Sequence, residues 1–171
     1  MNNPKAIANT LIRLQKAENR LNDYVRNFPG IFFTQRVDLT FSYLSNGIRN
    51  FFPTEYGNFS RNGNLYLEKI VEKDREYFLN ELKNNSMSRM TFSLKYRIKL
   101  FPTNQLIHIL DVRTPTITSG GKLLGYDGVL IDITRQSIAE HRLSNSVWRE
   151  SLTTLTNGLV HDFSNLMAGI Y

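Results

Sequence analysis

From Pro4 to Asn27 the apolar residues Ile7, Leu11, Leu14, Leu21 and Val25, continued by Phe28, recur at steps of three, four or seven, with Glu18 filling the one missing position. Pro4 suits a first helical turn and nothing before Pro29-Gly30 breaks a helix, so the pattern predicts one amphipathic helix with a narrow a/d seam. Such a seam suits another helix, most simply the same helix of a second copy, although packing on the chain's own domain produces the same spacing. Beyond Pro29-Gly30 the period changes to two. Gly30 to Val37, containing Ile31-Phe32-Phe33, and Leu39 to Tyr43 predict two short strands joined by a tight turn at Val37-Asp38, and Asn46-Gly47 stops the second.

Ile48 to Leu67, punctuated by Pro53, Gly57 and Gly63, predicts short helical pieces. Val71-Glu72-Lys73-Asp74-Arg75 leads into a longer helix with Asp74 as N-cap, Phe78, Leu79 and Leu82 facing inwards, and Asn84-Asn85-Ser86 as its end. Thr91 to Leu100 alternates without a fault, Phe92, Leu94, Tyr96, Ile98 and Leu100 against polar neighbours, which predicts a strand with one buried and one wet face. Pro102-Thr103-Asn104 turns the chain into a strand from Leu106 to Thr114, and Ser119-Gly120-Gly121-Lys122 into another from Leu123 to Ile133. The order of elements predicts an α+β layer: a five-stranded antiparallel sheet with helices on one face, flanked by N- and C-terminal amphipathic helices.

From Gln136 the chain reads as helix again, with a seam at Ile138, Trp148, Leu152, Leu155 and Leu159 that His141 and Asn145 weaken in its first half. The apolar pattern is still running at Tyr171 with no cap, so the expectation is a piece of a longer protein, ending inside a helix. Within this stretch stands His161, followed at once by Asp162, with Asn165 four positions on. Leu159, Phe163, Leu166 and Ile170 form the apolar stripe, and His161 projects away from its centre, towards water.

Composition narrows the field. A chain of 171 residues, 41% hydrophobic and 21% charged, suffices for one compact domain with helical extensions. The net charge of +6 comes from Lys and Arg spread among acids, without a basic run or arm, which argues against nucleic acid as a partner. There is no cysteine, so disulfides, thiolate metal sites and cysteine nucleophiles are excluded. No metal site is expected. No apolar run approaches the about 20 residues needed to cross a bilayer, and the N-terminus has no signal-peptide pattern, so the expectation is a cytoplasmic protein without a transmembrane segment.

His161-Asp162-Phe163-Ser164-Asn165-Leu166 resembles the H-box of two-component sensor histidine kinases. The resemblance implies that His161 is a phosphoacceptor, that Asp162 assists it, and that Asn165 serves the reverse, phosphatase reaction. Imidazole suits the role because it keeps a free lone pair at neutral pH; Asp162 would accept a hydrogen bond from the other ring nitrogen, and Asn165 shares the histidine's face at i+4. Upstream, Phe28-Pro29-Gly30-Ile31-Phe32, Tyr43 to Ile48 leading to Phe52-Pro53, Glu72-Lys73-Asp74-Arg75 and Gly128 to Thr134 occur in the order found in PAS domains, which the segment 29–135 resembles. Val71-Glu72-Lys73 departs from the family's usual His-Pro before the Asp. Asp132-Ile133-Thr134 matches the family's exit signature, which implies signal coupling between the last strand and the output helix. Asp132 there can hold a basic side chain or cap helix N–H groups.

Residues 1–28 then read as a coiled-coil-like helix, 29–135 as the sensor and 136–171 as the signalling linker and start of the phosphoacceptor helix. The resemblance implies a homodimer, a response-regulator receiver domain as partner, and ATP held by a catalytic domain that the chain lacks. No cofactor is certain: a small ligand inside the PAS core stays open beside an empty core. A flavin photosensor of the light-oxygen-voltage type needs a cysteine, and the haem-binding members place a histidine where this chain has Tyr77 and Phe78. His108 alternates with Leu106, Leu110 and Val112 and faces either a pocket or ordinary packing; His141 is a candidate pH sensor or a solvated surface residue. The alternative function is a PAS ligand-binding or interaction module with a non-kinase output.

Overall fold

A computed structural model describes residues 4–140, 157–158, 160–162 and 164–165. Helix α1 spans Pro4–Asn27, ended by Pro29-Gly30, and strands β1 (Gly30–Arg36) and β2 (Phe41–Leu44) follow. Two 3-10 turns, Asn46–Asn50 and Tyr56–Asn58, lead to helices α2 (Asn64–Lys69) and α3 (Glu72–Asn85). Strands β3 (Phe92–Leu100), β4 (Gln105–Ile117) and β5 (Leu123–Asp132) then feed helix α4 (Thr134–Glu140). The sheet order is β2-β1-β5-β4-β3, antiparallel at every pairing.

Alternation along the strands divides the sheet into two faces. The inner face packs Ile31 and Phe33 of β1, Leu94, Tyr96 and Ile98 of β3, Ile107 and Ile109 of β4 and Leu130 of β5 against Tyr66 of α2 and Phe78 and Leu82 of α3. Each fully buried aliphatic or aromatic side chain there contributes about 1.5–3 kcal/mol. Gly128 is required by this packing, since a Cβ would collide with the Val112 carbonyl and the Phe33 ring. The outer face gathers Phe32, Leu110, Val112, Val129, Ile131 and Ile133 around Val160, with Val25 and Phe28 at the end of α1 and Tyr43 half-buried beside them. The expected α+β layer is therefore present, and the flanking helices use the sheet's other face.

Four local expectations are corrected. Leu39 is not in the second strand: it takes φ 66°, the Asp38 carboxylate accepts the Thr40 N–H at 3.0 Å, and β2 begins at Phe41. Asp74 does not cap α3, whose N-cap position is Val71; its carboxylate accepts the Arg97 backbone N–H (2.9 Å) and guanidinium (2.6 and 2.8 Å) instead. Leu79 is 41% exposed, because at 100° per residue it sits to the side of the Phe78–Leu82 line. Strand β4 runs through Pro115 to Ile117; β3 begins opposite Arg113, so the last residues of β4 have only β5 alongside, where a missing N–H is tolerated. His141, the Trp148–Leu155 seam, Leu159, Phe163, Leu166 and Ile170 lie outside the described residues.

Candidate functional site

The exit from the sheet is built by three consecutive residues. Asp132 Oδ1 accepts the Thr134 N–H at 2.8 Å, closing a turn that starts α4, and the Ile133 carbonyl accepts the Ser137 N–H at 2.8 Å. Ile133 donates its N–H to the His108 carbonyl (2.8 Å), and Thr134 Oγ1 accepts the His108 N–H (2.9 Å), so the first residues of the helix are bonded to the neighbouring strand. Ile133 itself is buried in the outer cluster. Of the two partners open to Asp132 in the sequence, the helix N–H is the one it meets among the described residues.

Downstream, the described residues between 157 and 165 are helical. Val160 is 0% exposed and packs into the outer cluster, while the next two side chains, His161 and Asp162, are 71% and 79% exposed. His161 Nδ1 lies 3.5 Å from Asp162 Oδ1 and 3.2 Å from Asn165 Nδ2, and Nε2 lies 3.5 Å from the same amide nitrogen. The two neighbours ask for opposite tautomers. A carboxylate can only accept, so its bond puts hydrogen on Nδ1 and leaves the Nε2 lone pair free; an amide N–H needs a bare Nδ1. Turning the Asn165 amide exchanges donor for acceptor, after which both neighbours favour Nδ1–H.

Sequence reasoning missed a polar cluster at the centre of the inner face. Asp111 and Arg113, both 0% exposed, continue the inward-facing series of Ile107 and Ile109 on β4. Arg113 Nε donates to Asp111 Oδ1 and Oδ2 (2.8 and 2.9 Å) and Nη1 to Gln35 Oε1 (2.6 Å). Nη2 lies 2.8 Å from Asp111 Oδ2 without the alignment of a hydrogen bond. Tyr96 OH donates to Asp111 Oδ2 (2.8 Å) and shares a 2.7 Å bond with Tyr66 OH. The rings of Phe33, Phe78 and Tyr126 stand 4.8, 5.1 and 5.7 Å from the Arg113 Cζ. Burial pushes the Asp111 carboxyl up against the opposing pull of Arg113 and Tyr96, and pushes both tyrosine hydroxyls well above their ordinary range. The one signal in the sequence was parity, since Asp111 and Arg113 fall on the face that Ile107 and Ile109 mark as buried.

His108 is half-buried and lines a cleft of about 340 Å³ with Asp74, Tyr77, Arg97, Ile133 and Ser137. Of the two residues at the haem-ligand position, Phe78 is buried in the inner cluster and Tyr77 is exposed. Among the described residues no group of His, Cys, Asp and Glu is arranged to hold a metal, and no helix is long and apolar enough to cross a membrane.

No protein-family model matches this chain, and no curated protein matches it in sequence. Solved structures do match. A sensory box histidine kinase/response regulator from Burkholderia thailandensis E264 is 20% identical with a TM-score of 0.57, over 79% of this chain and 98% of that one. The N-terminal domain of a diguanylate cyclase with PAS/PAC sensor from Marinobacter aquaeolei is 17% identical with a TM-score of 0.55, over 63% and 98% of the two chains. A PAS domain from Colwellia psychrerythraea is 13% identical with a TM-score of 0.55, over 70% and 98%. The domain therefore has the PAS fold, which two of these neighbours carry in a sensory box histidine kinase/response regulator and in a diguanylate cyclase with PAS/PAC sensor.

Proposed function

We propose that this chain is the sensory and phosphoacceptor end of a histidine protein kinase, in which the PAS domain controls a helix whose His161 takes a phosphoryl group and relays it to a response-regulator receiver domain. The observation that carries the reading is one exposed imidazole with a carboxylate and an amide both within 3.5 Å, on a helix packed against the sheet of a sensory fold. With hydrogen on Nδ1, Nε2 attacks the γ-phosphorus of ATP presented by a nucleotide-binding domain. The N–P bond forms, the bond to the ADP oxygen breaks, and ADP leaves. Asp162 stabilises the imidazolium as charge develops and takes the Nδ1 proton, the orienting work a carboxylate does beside a catalytic imidazole. Asn165, beside the ring, positions a water for the return reaction.

Asp132, Ile133 and Thr134 couple the sheet to α4 in this reading, and the protein acts in the cytoplasm as a homodimer. An exposed Leu11 on the α1 seam, 60% accessible, supports the dimer. Phosphoramidate, a small donor to imidazole nitrogens, tests the site directly: the chain should acquire one acid-labile, alkali-stable phosphate at His161, absent from His161→Gln. With a kinase ATP-binding domain supplied in trans, Asp162→Asn should slow labelling by about 10²-fold, in the range of a lost acid–base partner, and Asn165→Ala should mainly slow loss of the phosphate. Equal labelling of His161→Gln at another residue overturns the reading.

A further inference from the structure

Leu94, Tyr96 and Ile98 of β3 and Ile107 and Ile109 of β4 point into the inner cluster, so alternation puts Lys95, Arg97 and His108 on the other face of the sheet. Arg97 and His108 are direct cross-strand partners there. Strand β3 is an edge of the sheet, and Asp74 and Tyr77 of α3 meet these residues around that edge in the cleft of about 340 Å³, which Ser137 of α4 also lines. Arg97 gives Nε and Nη2 to Asp74. Its Nη1, the Lys95 ammonium, the His108 ring and the Ser137 hydroxyl make no hydrogen bond among the described residues. Two fixed cations therefore face one carboxylate, and the imidazole opposite Arg97 adds a third positive charge whenever it takes a proton. Like charges directly opposite each other on neighbouring strands repel, and an anion between them relieves the repulsion.

We propose that this cleft binds a small oxyanion, planar like a carboxylate or tetrahedral like a phosphate, between Lys95, Arg97 and His108, and that the bound anion fixes the start of α4 on the sheet. The cleft's volume is at the small end of the range for ligand pockets, about 300–1,000 Å³, which suits an anion of few atoms. Several oxygens on one centre can accept from Arg97 Nη1, Lys95 and His108 together, and from the hydroxyl of Ser137. His108 is also the residue to which the helix is tied: its carbonyl accepts the Ile133 N–H, and its own N–H is donated to Thr134 Oγ1. An anion held by the His108 ring and by Ser137 grasps both sides of that joint. Asp74 opposes it, so a few charge-assisted bonds in a half-open cleft correspond to a dissociation constant of about a millimolar. The site is on the opposite face of the sheet from the buried Asp111–Arg113 pair and is separate from any ligand of the inner core. What the anion does for phosphotransfer rests on the phosphoacceptor reading; its binding does not.

Isothermal titration of the full chain, with ionic strength held constant by sodium chloride, tests the site with sulfate in one arm and succinate in the other. Saturation in one arm names the geometry of the anion, and saturation in both supports the shared oxyanion chemistry; saturation in neither up to about 20 mM overturns the proposal. His108→Gln and Lys95→Gln should each weaken binding about tenfold or more, the loss of one charge-assisted hydrogen bond, whereas Lys122→Gln, in the turn at the other end of β5, should leave it unchanged. Asp74→Asn removes the one opposing charge and should tighten binding several-fold. Affinity should rise as the pH falls from about 8 to about 6.5, where an imidazole takes its proton, and that rise should vanish in His108→Gln. Binding unchanged in both His108→Gln and Lys95→Gln, or weakened by Asp74→Asn, overturns the site; should His108→Gln fail to fold, the exposed Lys95 decides. At saturation, amide hydrogen exchange over Thr134–Glu140 should slow, and unchanged exchange there overturns the hold on α4. No phosphoryl donor enters these measurements, so their failure leaves the phosphoacceptor reading standing, and loss of phosphoramidate labelling at His161 leaves the anion site standing.

Discussion

Replacing Asp111 by leucine strands the Arg113 guanidinium in the core. The wild-type pair is 0% exposed on both sides, and the substitution removes the two Nε bonds, at 2.8 and 2.9 Å, and the acceptor of the Tyr96 hydroxyl. Taking one partner from a buried ion pair costs about 3–5 kcal/mol. Gln35 Oε1 and the rings of Phe33, Phe78 and Tyr126 stay beside the cation and soften the loss, so about 3 kcal/mol is expected, a large share of the roughly 5–15 kcal/mol that holds a domain together. Arg113→Met should cost less, because a buried carboxyl can take a proton and become neutral, whereas a guanidinium cannot give its charge up. The double variant Asp111→Leu/Arg113→Met, apolar and of similar volume, should be more stable than Asp111→Leu alone. Equilibrium urea unfolding, with the slope unchanged across the series, reads all three. A loss below about 1 kcal/mol for Asp111→Leu, or a double variant as unstable as the two single losses added, would refute a buried, mutually dependent pair.

Two further outcomes follow from the surface. Hydrogen bonds from Arg97 hold the Asp74 carboxyl below its ordinary 3.8, so its contribution is complete above that value and is lost as pH falls through the lower folded one; the stability gap between the wild type and Asp74→Asn should close in acid when urea midpoints are compared, and a constant gap would show that Arg97 does not depend on the ionised form. If the α1 seam joins two copies, Leu11→Asp should weaken the dimer at least about a hundredfold, since an apolar anchor is lost from each copy, and light scattering during size exclusion would show monomer; a wild-type chain that is already monomeric at tens of micromolar sinks the dimer.

The PAS-like order of elements was legible because it is written in local terms. Period two from Thr91 to Leu100, Pro29-Gly30 after α1 and Asn46-Gly47 after β2 act on their own neighbours, and a strand's parity settles which side chains share a face wherever it packs. That His161, Asp162 and Asn165 are neighbours was legible for the same reason, since they lie within about one helical turn of a single segment. Tertiary structure decided what depends on distant partners. Asp74 has the local look of a cap, yet its carboxylate is taken by Arg97, across to β3. Arg113 is acceptable in the core only because Gln35, 78 residues earlier, and Asp111 meet its donors there, a match no window of sequence contains. Val160 lies outside the stripe of Leu159, Phe163, Leu166 and Ile170, and periodicity alone left it without a role. Its burial comes from a patch shared by three strands and Ile133, and only the folded sheet brings those residues to one place.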